Sequence, residues 1–83
     1  MEIAYVMIGH SHYDDILWEW LRKNANSDLD TAIMNEQYDH SSAWGILILA
    51  GCRFELMEEC DGVNIYYDGT VEELIAKLDG IIR

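Results

Sequence analysis

Proline is absent from this chain, and basic residues are scarce: five Lys and Arg stand against sixteen Asp and Glu. With no proline-rich tract, no internal repeat and no low-complexity segment, nothing divides the 83 residues into more than one domain. So few cations argue against direct binding of nucleic acid, whose phosphates are held by clustered Lys and Arg. The six glycines are scattered, so neither a G-x-G-x-x-G turn nor a P-loop is present to cradle a phosphate. The two cysteines, Cys52 and Cys60, form no C-x-x-C. On one extended strand they would lie roughly 26 Å apart, too far to bridge. No run approaches the roughly 18 apolar residues that a membrane span needs. The opening MEIAYVMIGH has no basic n-region and no small-residue cleavage site. These absences lead to the expectation of a cytoplasmic, non-enzymatic protein with reduced thiols, no cofactor and no membrane association.

What remains is enough to fold. Half of the residues (51%) are apolar, and three Trp and five Tyr give a thin core its bulk, so disorder is not expected. The net charge of −11 is the largest compositional signal. Eight acids fall in residues 1–41 and eight in 42–83, so this is an acidic body and not an acidic tail. Such a chain repels nucleic acid and anionic membrane and attracts basic surfaces.

Hydrophobic patterning sketches the elements. EIAYVMIG (2–9) is apolar on both alternating sets, which suits a strand covered on both faces. Ser11 offers an N-cap for a helix over 12–24, with Tyr13, Leu17, Trp20 and Leu21 on its core stripe and Arg22 and Lys23 at its C-terminal end. Residues 24–28 read as a linker. LDTAIMNEQYDH fits a helix loosely, and TAIMNEQY within it can also alternate as an edge strand, so the state of 29–50 stays open. AWGILILAG (43–51) has the length of a buried strand, although Gly51 also suits a helix C-cap.

RFELMEECDGVNIYYDG reads as a hairpin with a type I′ turn at Asp61-Gly62, pairing Cys60 with Val63 and Leu56 with Tyr67. One face carries Phe54, Leu56, Cys60, Val63, Ile65 and Tyr67, the other Glu55, Met57, Glu59, Asn64 and Tyr66. Thr70 and Glu73 form a capping box ahead of a helix whose Val71, Leu74, Ile75, Leu78, Ile81 and Ile82 follow the helical period. The expected fold is one small α+β domain over 1–83. It has a three- to five-stranded, mainly antiparallel sheet with a C-terminal hairpin and two or three helices packed on it.

GHSHYDD (9–15) raises a metal question. The segment resembles the H-x-H-x-D-H signature of the metallo-β-lactamase fold, in which a strand end presents ligands to zinc. The resemblance spans about seven residues, and that fold takes a far longer chain. It implies His10, His12 and Asp14 as ligands, and Asp15 stands where the last histidine belongs. His40 is the one further histidine that can join them with a carboxylate. The same letters also describe a helix start, with Ser11 as cap and Asp14 and Asp15 at the positive end of the dipole.

A partner surface is the other candidate. Trp18 lies off the core stripe beside Asp14, Asp15 and Arg22, and a tryptophan among carboxylates suits an interface anchor. Glu55, Glu59 and Tyr66 give the hairpin an acidic, aromatic outer face. In size and charge the chain resembles immunity proteins against nucleases, anti-restriction proteins and anti-CRISPR inhibitors, although it carries no motif of theirs. The expected function is that of an acidic nucleic-acid mimic that inhibits or shields a basic, nucleic-acid-handling protein. Its contacts would come from Asp14, Asp15, Trp18, Glu19, Glu55, Glu59 and Tyr66. A small metal protein is one alternative. An accessory subunit or homodimer, joined through an edge beside 43–50 and acidic for solubility alone, is the other.

Overall fold

A computed structural model gives the fold and describes residues 1–7, 10–25, 29, 42–57 and 62–82. The described elements are β1 (Glu2–Met7), β2 (His12–Tyr13), α1 (Asp15–Asn24), α2 (Ala43–Leu49), β3 (Arg53–Met57), β4 (Gly62–Tyr66) and α3 (Val71–Ile82). The four strands form one antiparallel sheet in the order β2-β1-β4-β3. The expected α+β architecture holds, with the C-terminal hairpin as its β3–β4 half.

The register decides which side of the sheet is covered. Ala4 pairs with Ile65, Val6 with Val63, Phe54 with Ile65 and Leu56 with Val63, so these side chains share one face. Ala4, Val6, Val63 and Ile65 are buried there together with Leu17, Trp20 and Leu21 of α1, Ile46 and Leu47 of α2, and Leu74 and Leu78 of α3. Helices α1, α2 and α3 therefore lie on that face. Each fully buried Leu or Ile contributes about 1.5–3 kcal/mol relative to exposure.

The helix ends follow local chemistry. Thr70 Oγ1 accepts from the Glu73 amide at 3.1 Å, the cap bond that the capping box predicts, and the Glu73 carboxylate reaches back to the Thr70 hydroxyl, which donates to Oε1 at 3.2 Å. Helix α1 starts at Asp15 and not at 12, and its cap is Asp14 and not Ser11. Asp14 Oδ1 accepts from the amides of Ile16 (2.9 Å) and Leu17 (3.4 Å). Ser11 is held in the preceding turn, where its hydroxyl accepts from the Met7 amide at 3.2 Å and donates to the Met7 carbonyl at 3.1 Å. Between them His12 and Tyr13 pair with Tyr5 and Ala4, and the Asp14 amide donates to the Ile3 carbonyl at 2.8 Å. A two-residue strand leaves no periodic trace.

Residues 43–49 are a helix, which corrects the strand reading. Ser42 is buried and caps it, accepting from the Gly45 amide at 3.1 Å. Gly51, at φ 93°, ends it. The Gly51 amide donates to the Ile48 carbonyl at 3.0 Å and the Cys52 amide to the Leu47 carbonyl at 3.1 Å, the two bonds of a Schellman motif.

The hairpin register also differs. Met57 pairs with Gly62 and Leu56 with Val63, so Gly62 belongs to β4 and not to a two-residue turn. The slip is four residues. Being even, it keeps the described side chains of both strands on their expected faces. Leu56 nevertheless is 79% exposed, on the strand that forms the edge of the described sheet. Cys60 lies outside the described residues.

Candidate functional site

The partner residues expected on the first helix fall where helical geometry puts them. Burial of Leu17, Trp20 and Leu21 turns Asp15, Trp18, Glu19 and Arg22 outward as one stripe. Trp18 is 42% exposed, with its ring on Tyr13 at a centroid distance of 5.0 Å. Glu19 is engaged along its own helix, 3.3 Å from Lys23 and 4.0 Å from Arg22. Asp15 is exposed and enters no ion pair among the described residues. Asp14 has a structural role as the cap of α1.

The residues expected on the hairpin lie elsewhere. Glu55 pairs with Asn64 and Arg53 with Tyr66 on the sheet face away from the helices. The structure thus unites Asp15, Trp18 and Glu19, and separately brings Glu55 and Tyr66 to one open sheet face, but sets the two groups on opposite sides of the sheet. Glu59 lies outside the described residues. Arg53 tempers the acidity of the open face: its guanidinium lies 3.0 Å from Asp68 and 5.8 Å from the Tyr66 ring centroid.

The open face holds a cluster that sequence reasoning missed. His12, Tyr5, Asn64 and Glu55 form one row across all four strands. The Tyr5 hydroxyl lies 3.0 Å from His10 Nε2, and the His12 ring stacks on Tyr5 at 5.7 Å. Both alternating sets of residues 2–9 are apolar, so nothing in that strand marked Tyr5 as facing outward.

This arrangement bears on the metal reading. His10 and His12 both adjoin Tyr5, whereas Asp14 is turned into the helix cap and Asp15 is exposed on the first turn of α1. Among the described residues, no three His, Cys, Asp or Glu side chains are grouped to hold a metal ion. His40 lies outside them. Thiol chemistry gains no support from Cys52, which is buried. Burial pushes its thiol up to about 12, against a smaller opposing pull from Lys77, so it stays protonated at neutral pH. Among the described residues, no helix is long and apolar enough to cross a membrane.

Comparison with family models, with curated proteins and with solved structures finds no match.

Proposed function

We propose that this chain is a small acidic binding protein, not an enzyme, that covers a basic surface of a nucleic-acid-handling protein in place of the nucleic acid. The observation that carries the reading is charge left without internal compensation. The net charge is −11, and among the described residues Glu2, Asp15, Glu55 and Glu72 enter no ion pair. The pairs that do form, Glu19 with Lys23 and Arg22 and Asp68 with Arg53, are exposed and of little worth to the fold. On the α1 stripe Asp15 is the uncompensated carboxylate beside the half-exposed Trp18, and Glu19 shares its charge with Lys23 and Arg22 in exposed pairs that Lys and Arg of a partner can replace. Because Glu55 and Tyr66 face the other way, one flat partner surface meets the α1 stripe alone, and the α1 stripe is the primary contact.

The test is capture from host lysate on the tagged chain, washed at low and then moderate salt, with retained proteins identified by mass spectrometry. The expected result is a basic nucleic-acid enzyme released by salt, whose association with Asp15→Lys/Glu19→Lys is slower. Retention that ignores salt, or an on-rate unchanged by the double reversal, refutes the reading.

A further inference from the structure

The outer edge of β3 is unpaired among the described residues, and the strand carries Leu56 at 79% exposure. It has neither of the devices that most simply blunt an edge, a proline or a lysine. Its helix-side face is apolar: Phe54 stands against Trp44 of α2 with ring centroids 4.2 Å apart, and Ile48 and Leu49 of the same helix are exposed. Its other face carries one charge of each sign, Arg53 and Glu55.

We propose that β3 pairs with β3 of a second copy of this chain, antiparallel and centred on Phe54, giving a continuous eight-stranded sheet. The choice of occupant rests on charge complementarity within the strand itself. A two-fold axis perpendicular to the sheet keeps the helices of both copies on one side and allows few registers. Centring on Arg53 sets two guanidiniums face to face, and centring on Glu55 sets two carboxylates face to face, both unfavourable for directly opposed residues. Centring on Leu56 sets Glu55 opposite the partner's Met57 and puts Arg53 past the end of the partner's β3, so within the strand neither charge is matched. Centring on Phe54 places Arg53 opposite the partner's Glu55 twice over, Phe54 opposite its copy, and Leu56 opposite the partner's Cys52. That register compensates both charges and brings the exposed Leu56 next to the partner's chain just ahead of its β3. The guanidinium has donors enough to keep its bond to Asp68 while it meets the new carboxylate. The contact is isologous, so it closes at two copies.

The contact between copies does not depend on the basic-partner reading, and salt separates the two. Two bodies of charge −11 repel, so added salt tightens the contact between copies, whereas it loosens the contact with a basic protein.

Sedimentation equilibrium of the full chain tests it, with Arg53→Glu and Glu55→Arg as variants whose far-UV circular dichroism matches the parent. The unaltered chain is expected to dimerise reversibly. Either variant alone sets like charges opposite each other in both cross-strand pairs and weakens self-association by about tenfold or more. Mixed in equal amounts, the two variants restore a dimer, now mixed, because a strand with arginine at both charged positions meets a strand with glutamate at both. A parent chain that remains monomeric up to about 1 mM, at the weak end of measurable association, overturns the proposal. So does either variant that self-associates as tightly as the parent, or a mixture that forms no mixed dimer.

Discussion

Trp20 and Asp79 join α1 to α3 across 59 positions of sequence, the indole Nε1–H donating to Asp79 Oδ1 at 2.7 Å. Trp20 is 6% exposed, and Asp79 is half-buried near the end of α3. A hydrogen bond to a charged acceptor contributes about 1.5–3 kcal/mol, and partial solvation of the carboxylate lowers that to about 1–2 kcal/mol. Asp79→Ala is expected to lose this amount, a substantial part of the roughly 4–12 kcal/mol that a domain of this size has in total. The melting temperature should fall by about 4–8 °C for each kcal/mol. In a Trp20→Phe background the sign changes. The donor is gone, and what remains of Asp79 is a carboxylate at the negative end of a helix dipole and a poorer helix former than Ala. There Asp79→Ala should be neutral or stabilising by about 0.3–1 kcal/mol. Urea unfolding followed by circular dichroism, run as a double-mutant cycle, reads the coupling directly. Equal destabilisation by Asp79→Ala in both backgrounds would refute the reasoning, because the bond would then contribute nothing of its own.

Two further outcomes follow from the buried groups of α2 and its exit. Ser42→Ala removes a buried cap from the Gly45 amide and should cost about 1–2 kcal/mol, whereas Ser42→Asn or Ser42→Asp should recover part of it; denaturant midpoints at constant m-value decide this. Cys52 gives a pH dependence of known sign. Its thiol pKa moves from 9.0 unfolded to about 12 folded through burial, so above pH 9 the unfolded chain releases a proton that the folded chain retains. Its contribution to stability is complete below pH 9 and is lost progressively from pH 9 towards 12. Comparing Cys52→Ala with the parent between pH 8 and about 11, within the range where that thiol titrates, should show the steeper loss in the parent. Parallel curves would count against a buried thiol.

The elements that were legible in the sequence are those whose signals are local. The C-terminal helix carries its own capping box, and its periodic Val71, Leu74 and Leu78 are buried as the period requires. The stripe of Leu17, Trp20 and Leu21 fixed which side of α1 faces outward, and so made Trp18 legible as a surface residue. Residues 43–49 were not legible as a helix, because they are apolar nearly throughout and periodicity has nothing to distinguish. What decides them are the end signals, a buried serine cap and a left-handed glycine. The hairpin was legible in its strands and faces but not in its register. Gly62 serves β4 by its small size: a Cβ there would crowd the Val6 carbonyl at 3.0 Å and the Met57 side chain. Glycine as a turn residue and glycine as a close-approach residue share one letter. The open face of Tyr5 and the two histidines depends on α1, α2 and α3 choosing the opposite side, a decision made far from residues 2–9.

The sheet order also has a consequence in time. β1 is an inner strand, and its longer seam joins Ala4 to Ile65 and Val6 to Val63, so β1, synthesised well before β4, waits for that strand to be made. Met1 extends the same seam, with its nitrogen 3.0 Å from the Tyr67 carbonyl and the Tyr67 amide 2.9 Å from the Met1 carbonyl. The β3–β4 hairpin is local and closes early, whereas the β1–β4 seam closes a loop of most of the chain and closes late. Pulse-labelled hydrogen exchange should show hairpin amides protected before those of β1. In such an interval β4 would have one paired side and one open side, leaving Val63 and Ile65, buried in the finished fold, without the cover of β1. Folding speed, and loss to aggregation during synthesis, then rest on how fast one six-residue strand returns to a place kept for it.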